Sequence, residues 1–146
     1  MLKKIFNTDS SNWVLTILRV TAGLVMFPHG AQKAIGWFGG AGFTGTMGFF
    51  TEQLGIPAVF AALAIIAEFA GSLGLILGFI SRIAAFGVAV TMVVAVLMVH
   101  LNHGFFMNWM GSQSGEGFEY HILILGLLIP VIFKGAGAWS VDSKLS

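Results

Sequence analysis

A carboxylate inside an apolar stretch is the first feature of this sequence that could do chemistry. Glu68 lies within AIIAEFAGSLGLILGF (64–79), and Arg19 lies within a second apolar stretch. At about 1.5 Å per helical residue, Arg19 would lie roughly 9 Å and Glu68 roughly 16 Å above Trp13, a difference that an arginine side chain can span. Because a lone carboxylate in hydrocarbon is unfavourable, we predict a deep Arg19–Glu68 ion pair. The alternative is a pair with a structural role only.

A second polar group is predicted near one membrane surface. Imidazoles and carboxylates there could hold a ligand or transfer protons. The alternative for each histidine is that it caps a helix or faces lipid headgroups. The residues concerned are His29, His100, Asn102, His103, Glu119 and His121.

Two metal-based alternatives stay open for the same residues. His100 and His121 begin at the same level on neighbouring helices, so their imidazoles could flank a haem iron. His100 and His103, with Glu119, could instead ligate a divalent metal. Both alternatives are less favoured, since histidine pairs at helix ends commonly hold no metal.

The composition is that of an integral membrane protein. Hydrophobic residues make up 57% of the chain, charged residues 9%, and the mean hydropathy is +0.92. A length of 146 residues accommodates about four spans of about 20 residues each, so residues 1–146 are predicted to form a single transmembrane domain. A net charge of +1 provides no nucleic-acid surface, and the absence of cysteine excludes thiol chemistry.

The predicted fold is an all-α, integral membrane four-helix bundle. Its spans are about 12–29, 57–79, 82–101 and 118–133. In the first outer loop, Phe43, Met47, Phe50 and Leu54 recur at helical spacing, which predicts an interfacial helix.

Lysines and arginines predict the orientation. Five of them, against Lys33 alone, fall on one side of the predicted spans: Lys3, Lys4, Arg82, Lys134 and Lys144. Both termini are therefore expected to be cytoplasmic, in a cell inner (plasma) membrane.

The order of several motifs resembles one family. LRVTAGLVMFPHGAQK in the first helix is followed by LGIP, AEFAGSLGLILG, VHLNHGFF and EYHILILG. This pattern is similar to that of the DoxX family of small membrane proteins. The resemblance implies a four-helix membrane bundle. It also implies quinone-linked redox work, because the family name comes from the small subunit of a thiosulfate:quinone oxidoreductase and other members are labelled oxidoreductases.

We therefore expect a membrane enzyme or subunit that binds a quinone-like ligand in the outer half of the bundle. His100 and His29 would donate hydrogen bonds to the ligand, Glu119 would admit protons, and Glu68 with Arg19 would order the pocket floor. Lys33, Asn102, His103 and His121 complete the predicted ligand-binding set. Electrons would come from a partner subunit, or from a haem or metal held by histidines. Association of the chain with further copies of itself, as a homo-oligomer, is a separate expectation.

A proton-coupled transporter is the alternative function. In that protein, Glu68 would alternate between a proton and a substrate, as intramembrane carboxylates do in transporters. A non-catalytic assembly subunit is a further alternative.

Overall fold

The computed structural model describes residues 5–146, which form helices and loops and no strand. The all-α prediction is confirmed, whereas Lys3 and Lys4 lie outside the described residues. The α-helices are α1 (Trp13–Ile35), α2 (Gly42–Gly48), α3 (Ala58–Leu77), α4 (Ser81–Met98), α5 (Glu119–Lys134) and α6 (Asp142–Leu145). A π-helical turn, Phe49–Gln53, extends α2, and 3-10 turns cover Trp37–Gly39 and His100–His103.

The first long helix is longer than the sequence predicted. It begins after Asn12, whose side-chain oxygen accepts a hydrogen bond from the Leu15 amide, and it continues through Pro28. It ends at Ile35 because Gly36 adopts a left-handed conformation with φ of 74°. The predicted end at His29 is wrong. Lys33 therefore lies on α1, one helical turn beyond His29.

Four helices pack in a closed ring. Helix α1 contacts α3 and α5, and α4 contacts the same two helices. Small and branched side chains fill their shared core, including Ala22, Leu75, Val88 and Leu128. Within the described residues, α1, α3 and α4 are long and apolar enough to cross a membrane. Helix α5 has only 16 residues, so its crossing stays a prediction.

Close helix contacts set the register between α1 and α3. A Cβ atom built on Gly30 would lie 2.6 Å from the Cα of Phe69 and 2.7 Å from the carbonyl oxygen of Glu68. Gly30 is therefore level with Glu68. Seven residues further along α3, Leu75 contacts the side chain of Arg19. The guanidinium of Arg19 is thus about 10 Å from the level of Glu68 along the bundle.

The two ends of the bundle differ. At the end that we call the arginine end, Arg82 donates hydrogen bonds to the carbonyls of Phe133 and Asn7. The carboxylate of Asp142 accepts from the amides of Ile80 and Ser81 there, capping the start of α4. The opposite end carries His29, His100 and His121, and we call it the histidine end.

The first long loop lies at the histidine end and is helical, as predicted. Helix α2 and the π-helical turn follow each other without a break, and α2 packs against α1. Phe43 and Phe49 are exposed on this segment. Its position in the membrane interface stays a prediction.

Candidate ligand-binding site

A cavity of about 670 Å³ lies within the histidine half of the bundle. All four ring helices contribute to its wall, together with the first loop. Most of the wall is apolar, and ionisable or hydroxyl-bearing side chains interrupt it at a few positions. These are His29, Lys33, Glu68, Thr91, His100, Glu116, Tyr120 and His121.

Glu68 binds Lys33 and not Arg19. The ammonium nitrogen of Lys33 lies 2.6 Å from a carboxylate oxygen of Glu68. The Glu68 side chain is 6% exposed and that of Lys33 is 28% exposed. The predicted Arg19–Glu68 pair is wrong, because Gly30 brings the Lys33 end of α1 against Glu68 while Arg19 lies far down the helix.

Arg19 instead holds the arginine end of the bundle together. Its side chain is buried, and all five of its N–H donors bond to backbone carbonyls at 2.7 to 3.1 Å. Two acceptors lie at the end of α3, where carbonyls have no intrahelical partner. The acceptors are Leu75, Ile76, Ala136, Ala138 and Trp139. Arg19 therefore joins α1, α3 and the segment after α5, and it lies outside the cavity wall.

A row of aromatic rings lines one side of the cavity. The ring centres of His100 and His121 are 4.2 Å apart, and those of His121 and Tyr120 are 5.7 Å apart. Tyr120 lies 5.8 Å from His29 by the same measure, and its hydroxyl donates to the sulfur of Met26 at 3.4 Å. Three helix segments thus bring titratable rings together on one side of the cavity.

His121 contributes an unused polar atom to this row. The residue is only 6% exposed, and its Nδ1 atom is buried without a hydrogen-bond partner among the described residues. A buried polar atom without a partner is unfavourable by about 1–3 kcal/mol. Because this atom has almost no accessible surface, a ligand or a water molecule in the cavity would reach it only if the His121 ring rotated.

Three predicted site residues lie away from the cavity wall. Asn102 is exposed, and the Nδ1 atom of His103 lies 3.3 Å from the hydroxyl of Ser114. The carboxylate of Glu119 accepts hydrogen bonds from the amide of Met107 and the indole of Trp109. Glu119 therefore holds the second loop against the start of α5, and that loop supplies Met107 and Glu116 to the cavity wall.

The haem alternative does not fit this geometry. At a centre-to-centre distance of 4.2 Å, the rings of His100 and His121 are in contact, so no iron porphyrin fits between them. Moreover, the Nδ1 atom of His100 lies 2.8 Å from the carbonyl of Glu116.

The divalent-metal alternative does not fit either. Among residues 5–146, no three histidine, cysteine, aspartate or glutamate side chains are arranged to hold a metal. Glu119, one of the predicted ligands, is directed at Met107 and Trp109 instead.

Sequence reasoning missed Tyr120 and Glu116. Tyr120 is the single tyrosine of the chain and adjoins His121 in an apolar helix, which is a signal that could have identified it. Glu116 lies in a glycine- and serine-rich loop without a distinctive pattern. Its carboxylate accepts from the amide of Asn108, and its carbonyl lies beside His100.

Comparison with known proteins assigns the chain to a family. Residues 14–101 match the DoxX family, and the match spans the Lys33–Glu68 pair and the α3–α4 part of the cavity. The protein belongs to the DoxX family and is a membrane protein, as the motifs predicted.

Three relatives extend the comparison. The chain is 30% identical over 112 residues to inner membrane protein YqjF of Escherichia coli, covering 76% of this chain and 80% of YqjF. It is 28% identical over 130 residues to "Putative oxidoreductase CatD" of Bacillus subtilis, covering 82% and 87%. An uncharacterized membrane protein of Mycobacterium tuberculosis is 29% identical over 138 residues, covering 88% and 79%. No solved structure matches the chain.

Proposed function

We propose that this protein binds a quinone-like ring in the cavity at the histidine end and serves quinone-linked redox metabolism, as an enzyme or as a membrane subunit. The observation that supports this most directly is the convergence of an ion pair and a row of titratable rings in one largely apolar cavity. The name of the Bacillus relative, "Putative oxidoreductase CatD", supports the same class of function.

The cavity has the chemistry that a quinone requires. Its apolar walls suit a flat, lipid-soluble ring, and a volume of about 670 Å³ is typical of small-molecule sites. Each quinone carbonyl accepts hydrogen bonds, which the imidazoles of the cavity wall, Tyr120 and Lys33 can donate. His29 and His100 can exchange protons with the bound ring.

Reduction of a quinone to a quinol takes two electrons and two protons. The side chains of the cavity can supply protons, but the chain contains no cysteine that could carry electrons. We infer that a redox partner protein delivers the electrons to the ring. This protein would then provide the binding site and the proton path.

The orientation of the protein follows from its charges. Arg82, Lys134 and Lys144 belong to the arginine end, whereas Lys33 belongs to the histidine end. By the positive-inside rule, the arginine end faces the cytoplasm and the cavity lies in the outer half of the membrane. Both termini are then cytoplasmic.

The packing at the arginine end disfavours the transporter alternative. Below the cavity, Arg19 is hydrogen-bonded to five carbonyls, and the segment 135–138 is buried against it. An exporter needs alternating access to both membrane faces, which would break these bonds. A binding site open at one half of the bundle needs no such rearrangement.

Binding of a benzoquinone that lacks a long chain tests the proposed function. The wild type, in lipid nanodiscs, is titrated with this benzoquinone and compared with His100→Ala and His103→Ala. The two variants remove histidines three positions apart. We expect His100→Ala to weaken binding by about 1–3 kcal/mol, and His103→Ala to have no effect because His103 lies outside the wall. No binding by the wild type, or equal losses in both variants, would contradict the proposal.

A further inference from the structure

The cavity has an apolar side formed by α3. Phe60, Leu63, Ala64 and Ala67 line it there, and their spacing places them on one face of the helix. Ala64 and Ala67 are small, so the surface of α3 is recessed where they lie, beside the larger side chains of Phe60 and Leu63. Glu68, the next residue, is directed inward to Lys33.

Helix α4 forms the matching side. Phe86, Val90, Val94 and Met98 line the cavity at intervals of four residues. They form a continuous stripe along the helix. Phe86 and Met98 are twelve residues apart, so the stripe is about 18 Å long.

The gap between these faces of α3 and α4 opens toward the outside of the bundle, where lipid would lie. Phe60 is 63% exposed and Phe86 is 59% exposed, although both line the cavity. Both lie in helices long and apolar enough to cross a membrane, so their exposed surfaces meet lipid. The gap ends at Gly87, where a Cβ atom would lie 3.2 Å from that of Ala67.

Four polar groups lie on the other side of the cavity. His29 and Lys33 come from α1, and Tyr120 and His121 come from α5. The cavity therefore has a polar back and an apolar opening toward the bilayer. A ligand that matches both has a polar ring and a long apolar chain.

We propose that the gap between α3 and α4 is a lateral entrance through which the ligand arrives from the bilayer, and that the ligand's apolar chain remains in this gap. This inference rests on the proposed function, and it adds the entry route and the chain-bearing class of ligand. A chain in the gap leaves one apolar environment for another, since lipid tails are as apolar as leucine. A chain should therefore add little affinity, but a side chain that fills the gap should exclude a ligand whose chain must lie there.

Filling the entrance tests the proposal. Val94 and Val93 are neighbours on α4 with 39% and 44% exposure, but only Val94 lines the cavity. Val94→Trp places a large ring in the gap, and Val93→Trp places the same ring on the lipid-facing surface as a matched control. Each variant is titrated in nanodiscs with a decyl-substituted benzoquinone and with the same ring carrying only methyl groups.

We expect Val94→Trp to weaken binding of the decyl compound at least tenfold while binding of the methyl compound stays within twofold of wild type. Val93→Trp should change neither. Unchanged binding of the decyl compound, or equal losses for both compounds, would overturn the lateral entrance while leaving the proposed function intact. If the wild type binds neither compound, the proposed function itself fails.

Discussion

Lys33 and Glu68 form a salt bridge of 2.6 Å between α1 and α3, at the level where Gly30 brings the two helices into contact. The pair lies in the wall of the cavity, so a ligand can reach it. A buried carboxylate that keeps its charge beside a ligand needs such a partner. Lys33 is therefore the ion-pair partner that Glu68 has in the cavity wall.

A double-mutant cycle should detect this pair. Lys33→Met alone leaves a nearly buried carboxylate without its cation, whereas Lys33→Met combined with Glu68→Gln removes both charges. We expect a coupling free energy of about 1–3 kcal/mol between the two substitutions, measured by reversible unfolding in detergent micelles. In the matched cycle with Arg19→Met and Glu68→Gln, the coupling free energy should be less than about 0.5 kcal/mol. The opposite ranking of the two cycles would restore the pairing predicted from sequence.

Arg19 should not be replaceable by lysine. Lysine offers three donors on one atom and cannot reach carbonyls of two separate segments as the planar guanidinium does. We expect Arg19→Lys to lower the free energy of unfolding by about 3 kcal/mol or more. Arg82→Lys is the control, because Arg82 is only half-buried and lysine can keep its charge in water. An Arg19→Lys loss of less than about 1 kcal/mol would show that the five bonds of Arg19 are not critical.

The existence and order of the helices could be predicted from sequence, because apolar runs of span length follow directly from hydropathy. The grouping of His29, His100 and His121 with Glu68 could also be predicted, since depth along a helix is a simple count. All four line the same cavity.

The partners of the charged residues could not be predicted. They depend on how far α1 continues beyond Pro28 and on its register against α3, which the Gly30 contact sets. The acceptors of Arg19 are backbone carbonyls, including those of Ala136 and Ala138. Carbonyls carry no signature in a sequence.

Gly30 should tolerate no side chain. In Gly30→Ala, the new methyl group would meet the backbone of Phe69 and Glu68 at 2.6 to 2.7 Å, which pushes α1 from α3 and separates Lys33 from Glu68. We expect a loss of about 1–3 kcal/mol in unfolding free energy. Gly126→Ala on α5 is the control, since no atom lies within 4 Å of its added Cβ. It should be neutral or stabilising by up to about 1 kcal/mol. Equal effects would argue against the close α1–α3 contact.

Glu119 is expected to position the second loop. Glu119→Ala removes the acceptor for the Met107 amide and the Trp109 indole, so hydrogen exchange at Met107 should accelerate at least tenfold. Glu119→Gln keeps an oxygen acceptor but loses the acid. In this variant, the Met107 amide should exchange nearly as slowly as in the wild type. Glu52→Ala in the exposed part of the first loop is the control and should leave residues 105–119 unchanged. If Glu119→Gln keeps slow exchange and loses quinone reduction in a complete redox assay, Glu119 acts as the proton-entry acid that the sequence suggested.

Photolabelling with an azido-substituted benzoquinone tests the central claim most directly, because it reports where a quinone ring binds. The protein in nanodiscs is irradiated with the probe, with and without excess unlabelled quinone, and the labelled residues are identified by mass spectrometry. We predict competitor-sensitive labels on the cavity wall, in the segments His29–Lys33 and Tyr120–His121. Labels confined to the smaller cavity of about 290 Å³ at the arginine end, beside Leu77 and Trp139, would contradict the proposed site.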